Sequence, residues 1–572
     1  MTSSTSSNTS GDSDWLQVII DETSELVRLQ TWRDGTQEKE KEVQVNLGEI
    51  RAHFIKKMDS YNKGKDETLK MRSFEWKSDE SDLPKYRVFG FRAGKGAKKV
   101  SIICHLDTVP PGNDTWNPFE PRVETRVYNG VPTDFLIGRG SIDDKGPAVV
   151  AFEAFTRALN SANETALDNI TLEVLYDTSE ETDMSTPHYF DALPDEKPAF
   201  GVVFDAYWSV RAEKGIERPT FSIHASDSSP SGNESYLLIV SMSTPTAPTN
   251  MIPVTAEAHI TGAAELLRHF ADHVETWYRA YPFDDLDYHP ADITVISSGS
   301  EVVITAKVAG AQHGSAPEQN RANGANPVVS LTNFLASLVD RGVLANNYNG
   351  KMCRFIRWAF GTRVFGENHP DLLQRFDTVF QDGNGTTYAL TQLIPNTDDK
   401  KRASITLGLD IRYAIGHHGT GWSGREGKLE DESLFKSVFR QLVSRYHSEA
   451  GGKNVIIHTE TIFGPDIRSL RDGNLFRINT AYRAVMGNNC PMHATGGATD
   501  AHGYLELVTA GALFTTNFGP PVNYHGIDEG APLIDLENSG KILVELLQKE
   551  LCVQTTHSKH YASIHHAHGC GN

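Results

Sequence analysis

Short continuous apolar runs punctuate the first two hundred residues of this chain: Val100–Cys104, Ile170–Tyr176 and Phe200–Phe204. Runs of this length, each closed by a polar cluster, predict strands of a parallel sheet covered on both faces. The clusters are His105-x-Asp107, then D-T-S-E-E-T-D after Tyr176, then Asp205. Between the first two runs, Val149, Phe152, Phe155 and Leu159 recur at helical spacing. Pro147 just ahead of them suits the first turn of a helix. Residues 15–32 predict an amphipathic helix, residues 40–60 contain a more charged one, and Tyr86–Phe91 predicts a further strand. Strands alternating with helices give an α/β domain whose central sheet is mostly parallel and flanked by helices. Such sheets carry their chemistry in the loops at the strands' carboxyl ends.

From about residue 217 the pattern changes. A Ser/Pro/Gly loop at Ser226–Gly232 leads into alternating segments, Tyr236–Met242 and Glu301–Val308, with a helix expected at Ala263–Tyr281 between them. Alternation predicts strands with one solvated face, so an antiparallel sheet with helices is inserted into the first domain. Near residues 455–465 the chain returns, and the last hundred residues supply a helix, a glycine turn in A-T-G-G-A-T-D-A-H-G, and a strand leading to F-G-P-P-V-N-Y-H-G-I-D-E. The expected organisation is a disordered leader at 1–14, a first domain in two parts at 15–216 and 461–553, an inserted α+β domain at 217–460, and a His-rich tail at 554–572. At 572 residues the chain is too long for one core, which fits that division.

The strand ends hold the candidate chemistry. Residues two apart on a strand share a side, so His105 and Asp107 point the same way, and a carboxylate behind an imidazole is what fixes a metal-binding histidine's tautomer. Glu180 and Glu181, as neighbours at a strand end, face opposite ways, so one can ligate a metal while the other reaches a water. Gly138, Gly140 and Gly146 loosen the backbone around Asp143-Asp144. Together the strand ends and the C-terminal return deliver His105, Asp143, Glu181, Asp205 and His525, and a mixed imidazole and carboxylate set suits Zn²⁺, with Mn²⁺ or Co²⁺ as substitutes.

The string H-L-D-T-V-P-P-G followed by G-R-G-S-I-D-D-K-G-P resembles the di-zinc metallopeptidase family of acetylornithine deacetylase, succinyl-diaminopimelate desuccinylase, carboxypeptidase G, aminoacylase and carnosinase. F-D-A…E-K-G-I at 204–216 is similar to P-D-A…E-K-G-I of its PepV dipeptidase branch, with Phe204 in place of the proline. The resemblance implies a di-metal exopeptidase domain with a large inserted lid and two Zn²⁺ per chain. It sorts the ligands: His105 and Asp205 for one metal, Glu181 and His525 for the other, and Asp143 as the bridge, followed by a cis peptide. It implies that Glu180 is the general base and that Asp107 orients His105 behind the ligands. T-N-M-I-P, A-Q-H-G-S-A-P-E and L-D-I-R-Y resemble lid motifs that make Asn250 a substrate contact, His313 an oxyanion donor and Arg412 the carboxylate-binding arginine, while Gly496-Gly497 resembles the family's glycine turn. The enlarged lid implies a monomer, the lid taking the place of a partner subunit.

Two substrate classes stay open. Dipeptides or small peptides with a free C-terminal carboxylate come first, and N-acyl amino acids second, because both present an amide beside a carboxylate. A non-catalytic scaffold would be favoured by a missing ligand, and none of the six key residues is missing. Composition trims the partners. A formal net charge of −20 argues against nucleic acid, which wants a basic face. The chain has no run of the length of a membrane span and its N-terminus lacks a signal peptide's basic and apolar regions. Five irregularly spaced cysteines without C-x-x-C predict reduced thiols and a cytoplasmic home. No Walker loop, H-E-x-x-H or G-x-S-x-G is present, which weighs against NTPase, zincin and serine-hydrolase chemistry.

Overall fold

The computed structural model describes residues 12–566 apart from 113–115, 163, 226–235, 246–248, 284, 286, 309–311, 315–325, 375–378, 381–384, 398–401, 418–432 and 450–454, with side chains described only between 15 and 552 and not at 312, 313 and 461. The expected leader up to residue 11 and the Ser226–Gly232 loop lie outside the described residues. The chain divides into two compact units, one made of residues 1–211, 468–493 and 499–572, the other of residues 212–467 and 494–498.

The first unit is built on a six-stranded sheet. Its strands are β1 (Arg72–Lys77), β2 (Arg87–Ala93), β3 (Lys98–His105), β6 (Ile170–Asp177) and β7 (Phe200–Val203), with Leu507–Thr509 at the far edge; β4 (Arg122–Tyr128) and β5 (Val131–Ile137) form a separate hairpin. The order across the sheet is β1-β2-β6-β3-β7 and then Leu507–Thr509. β1 and β2 run antiparallel, and the other four strands are mutually parallel. The three central strands are buried on both faces, which is why they read as unbroken apolar runs. Helices α1 (Asp12–Val27), α2 (Gln37–Asn62) and α3 (Lys145–Asn160) belong to this unit, and Phe54 of α2 stacks on Tyr176 of β6 at 4.9 Å between ring centroids.

The connection from β3 leads to β6 on one side and from β6 to β7 on the other. β3 is therefore the point where the strand order reverses, and ligands of open α/β sheets bind outside the carboxyl ends at such a point. Register sharpens this. His105 stands opposite Asp177, so β3 and β6 end at one level, and Ile103 stands opposite Val203, so β7 ends two residues earlier.

The first and last helices differ in extent from the sequence expectations. The first helix starts at Asp12, inside the expected leader, and stops at Val27, five residues before Trp32. Leu29 and Trp32 keep a helical spacing, yet the chain turns aside there, so that Thr31 Oγ1 donates to Leu106 O at 2.6 Å and Trp32 bridges to Thr108. At the other end, the last helix begins at Leu533 and its backbone stays helical to His566, well into the expected His-rich tail.

The second unit holds an antiparallel sheet ordered 455–458, 220–224, 403–413, 215–217, 461–463, with Thr387–Thr397 paired to Ala403–Tyr413. A second antiparallel sheet, 238–243, 255–261, 301–307 and 292–297, carries the helix Ala264–Arg279. Strands 255–261 and 301–307 alternate buried with half-buried or exposed positions, the period-two pattern that set them apart in the sequence. Among the described residues no helix is long and apolar enough to cross a membrane.

Candidate metal centre

Every donor expected from the strand ends belongs to the first unit. β3 delivers His105 as its last residue, and β6 ends at Asp177, three residues ahead of Glu180. Asp205 follows β7 by two residues. Asp143 comes from the turn before α3. That turn needs its glycines: Gly140 sits at φ +88°, and a Cβ on Gly146 would lie 2.0 Å from Ser141 O. The Asp143–Asp144 peptide is cis.

These side chains converge into two overlapping groups. Donor atoms of His105, Asp143 and Glu181 lie within 4.8 Å of one another, and so do those of His105, Glu180 and Asp205. His525 joins the first group from the C-terminal return, its Nε2 against Asp143 Oδ2 and 3.1 Å from Glu181 Oε1. Asp143 spans both sides, because its Oδ1 is 2.9 Å from His105 Nε2 while its Oδ2 faces His525.

Asp107 works differently from a simple partner of His105. It is the Asp107 carbonyl oxygen that lies 3.1 Å from His105 Nδ1, with the carboxylate Oδ1 farther at 3.5 Å. The carboxylate instead accepts the backbone N–H of Glu180 (3.0 Å) at Oδ1 and of Glu181 (3.2 Å) at Oδ2. Arg33 Nη1 donates to Oδ2 at 3.3 Å and also to Thr178 O at 2.8 Å. Asp107 thus pins the loop that carries both glutamates. Asp205 is held by Tyr524, whose hydroxyl donates to Oδ1 at 2.8 Å.

The electrostatics call for cations. Asp107, Asp143, Glu180, Glu181 and Asp205 crowd together, with Arg33, the buried Lys145 and the two imidazoles among the groups that face them. Burial pushes Glu180 well above the ordinary carboxylate range, with Asp205 and Glu181 adding to it against His105. Burial lifts Glu181 to about 7 against the pull of His525. For His525 burial opposes the charged form, and Glu181 and Asp143 outweigh it, raising the imidazole to about 10. Asp143 Oδ2 and Glu181 Oε1 are buried without an aligned hydrogen bond. Buried carboxylate oxygens and imidazole nitrogens converging on one place, with excess negative charge, fit divalent cations. The residues present suit such ions.

The candidates of the second unit gather separately. Met251, next to Asn250, pairs with His313 in a short antiparallel bridge, and Gly314 N donates to Asn250 O. The side chain of His313 lies outside the described residues. Gly314 packs close to Asp410, and Asp410 takes the fork of Arg412 bidentately, Nε–Oδ1 2.6 Å and Nη2–Oδ2 3.1 Å. Arg412 Nη1 donates to Gly496 O at 3.2 Å, and the Gly497 N–H donates to Thr495 Oγ1. The fork that was expected to meet a substrate carboxylate is therefore held by Asp410, leaving the Nη1 edge toward the glycine turn.

Arg33, Tyr524 and Asp410 were absent from the sequence expectations. Tyr524 adjoins His525 and Asp410 lies two residues from Arg412 on one strand face, so both had a local signal. Arg33 had none, since it reaches Asp107 across 74 positions.

The chain is similar to known proteins. A family model described as peptidase family M20/M25/M40 matches residues 102–549. A protein of Staphylococcus saprophyticus, provisionally named a dipeptidase, is 29% identical over 471 residues, covering 81% of this chain and 85% of that protein. A similarly named protein of Staphylococcus haemolyticus is 25% identical over 432 residues, covering 74% of this chain and 77% of its own length. The crystal structure of human carnosine dipeptidase 1 has the same fold at 11% identity, with a TM-score of 0.50 over 94% of this chain and 98% of that one. Since the family model takes in most of the chain, from the middle of β3 into the last helix, the chain belongs to peptidase family M20/M25/M40 and is a peptidase.

Proposed function

We propose that the protein is a di-metal dipeptidase, which hydrolyses the amide bond of dipeptides or small peptides ending in a free carboxylate. The observation that carries this reading is the convergence of His105, Asp143, Glu181, Asp205 and His525 at one rim, with Glu180 beside them. His105 and Asp205 are assigned to one ion, Glu181 and His525 to the other, and Asp143 to both, as its two oxygens already face the two histidines. Zn²⁺ is the ion that an imidazole and carboxylate set favours, with Mn²⁺ and Co²⁺ able to replace it. Such ions, when bound, supply the positive charge that acidifies a water and polarises a carbonyl.

The chain's own residues do the rest. Glu180 takes a proton from the attacking water and returns it to the leaving amine, and a carboxylate raised by burial suits a base working near neutral pH. Asp107 fixes where Glu180 and Glu181 stand by holding their N–H groups. The same reading assigns Asn250, His313, Arg412, Gly496 and Gly497 to substrate binding, the roles their motifs imply. The names of the staphylococcal relatives favour dipeptides over N-acyl amino acids.

The test is a mass-spectrometric screen of metal-loaded protein against a panel of dipeptides, tripeptides and N-acyl amino acids, beside elemental analysis. Dipeptide cleavage abolished by chelation, with two ions per chain, is the expected result. Cleavage confined to N-acyl amino acids, or activity untouched after metal is stripped to background, would overturn the reading.

A further inference from the structure

Two buried charged residues outside the donor cluster tie together the loops that carry Asp143 and His525. Arg139 is 1% exposed and Glu529 0%, and they pair through Arg139 Nη1 and Glu529 Oε2. Neither stops at the other. Glu529 Oε1 accepts the backbone N–H of Gly140 at 3.0 Å, of Ile142 at 3.2 Å and of Asp143 at 3.3 Å. Arg139 Nη2 donates to the carbonyls of His525 at 3.2 Å and Gly526 at 3.1 Å. Arg139 thus lies on the loop of Asp143 and grips that of His525, while Glu529 lies just after His525 and grips the loop of Asp143. The backbone repeats the link, as Gly138 N donates to Glu529 O at 2.9 Å and Gly530 pairs with Ile137.

The His525 loop has reason to be held. Asn523, His525 and Asp528 all sit in the left-handed region, at φ +53°, +59° and +56°. Residues with a Cβ adopt that backbone only against a steric penalty and keep it where surrounding contacts over-determine it. The carbonyl of His525 is one of the contacts, taken by Arg139. A buried ion pair is a poor source of net stability, because desolvating both charges offsets their attraction. What this pair does supply is geometry, since six polar contacts join two loops some 390 positions apart in the chain.

We infer that Arg139 and Glu529 are positioning residues, which set the spacing between Asp143 and His525 and so the affinity for the ion that Glu181 and His525 would hold. The inference rests on the two-ion reading above. The other ion shares Asp143, but its own donors His105 and Asp205 receive no contact from either residue, so it should be the less affected of the two. Outer contacts of this kind typically change metal affinity 10–100-fold.

Cobalt(II) is a suitable probe, because its visible absorption counts bound ions and reports their coordination. Stripped wild-type protein, Glu529→Gln and Arg139→Lys are titrated with Co²⁺ alone. Wild type should take up two ions. Each variant should bind the ion of Glu181 and His525 about 10–100-fold more weakly, with a changed absorption band for it, and the ion of His105 and Asp205 with a clearly smaller loss. Turnover should return to within a few-fold of wild type once Co²⁺ saturates, a rescue that damage to the chemistry itself would not allow. Arg139→Lys keeps the charge and loses the fork, so it reads the geometry alone and carries the test if Glu529→Gln fails to fold. Variants that bind both ions with wild-type affinity, or that weaken both equally, overturn the clamp. A wild-type chain that takes up fewer than two Co²⁺ overturns the proposed function, and the clamp with it.

Discussion

Asp107→Asn is the substitution that most sharply separates holding a loop from holding a histidine. Both Asp107 oxygens act only as acceptors: Oδ1 from Glu180 N, Oδ2 from Glu181 N and Arg33. An asparagine of the same shape must turn its NH₂ toward one of these donors, because it has a single acceptor oxygen. Whichever way it flips, a fully buried donor faces another donor. A hydrogen bond involving a charged group is worth about 1.5–3 kcal/mol, and leaving its partner buried and unsatisfied costs a similar amount. Part of that cost is relieved if the Glu180–Glu181 loop moves away, and the loop carries both a proposed ligand and the proposed base. At about 1.36 kcal/mol per tenfold, a loss of 1.5–3 kcal/mol in holding the catalytic arrangement predicts a roughly 10–150-fold fall in kcat/KM. Metal content should fall less, because His105 still has the Asp107 carbonyl at 3.1 Å to fix its ring. The assay is steady-state kinetics on a cleaved dipeptide alongside ion counting on the same samples. If Asp107→Asn sheds the ion of His105 while an ion-replete sample turns over normally, the carboxylate serves the histidine and the loop argument is wrong.

Three further outcomes are expected. Glu180→Gln should keep its ions yet lose about 10²–10⁴-fold in turnover, the usual range for a general base, and near wild-type rates in ion-replete protein would remove Glu180 from that role. Asp535, buried against Tyr128 and Phe514 N, has its carboxyl raised by burial from 3.8 to about 6, so the stability it contributes is complete below about pH 4 and is lost as pH rises through about 6. Asp535→Asn keeps an acceptor for both donors and should remove that loss, on the order of 3 kcal/mol for a carboxyl raised from 3.8 to about 6; the difference between variant and wild-type urea midpoints should grow between about pH 4 and 6 and level off above, and parallel pH profiles would refute it. His313→Ala mixed with Glu180→Gln should stay inactive if the protein works as a monomer, whereas recovered activity in the mixture would show subunits completing one another's sites.

What could be read from the sequence follows from how far apart the cooperating residues lie. The α/β class and its central strands were legible because a strand buried on both faces must be apolar throughout, and its end must be polar where the loop meets solvent or an ion. His105, Asp107, Glu180, Glu181 and Asp205 were found by that local rule, since each lies at or within four residues of a strand's end. Period-two facing then predicted that Asp107 stands behind His105. It could not predict that the carboxylate would serve the N–H groups of Glu180 and Glu181, because that depends on β3 and β6 ending in register, with His105 opposite Asp177. Periodicity misled at residues 28–32. Leu29 and Trp32 kept the helical spacing of Leu26, yet the segment leaves the helix to place Thr31 on Leu106 and Arg33 on Asp107.

The same reasoning explains why Arg412 was only half readable. Its place on a strand beside Asp410 is local, and residues two apart on one face are bound to meet. An arginine so placed reads equally well as a substrate anchor or as half of a structural pair, and only the side-chain geometry separates the two. Here Asp410 holds two of the three guanidinium nitrogens, Nε and Nη2, and Gly496 O accepts from the third, Nη1. For Arg412 to bind a carboxylate bidentately it would have to release Asp410, leaving a fully buried acid without its partner. Losing the partner of a buried charge costs several kcal/mol. The less costly course is that Arg412 keeps Asp410 and offers a substrate its Nη1 edge. Arg412→Lys would test this, because lysine can present one donor to a substrate but cannot hold Asp410 by a fork. If the Nη1 edge is what binds, Arg412→Lys should raise KM about tenfold or less with kcat nearly kept, below the roughly 1.5–3 kcal/mol that losing one charged hydrogen bond outright would cost, because lysine still offers a donor. A loss above about 10³-fold in kcat/KM would instead mean that the whole fork turns to the substrate and that Asp410 lets it go.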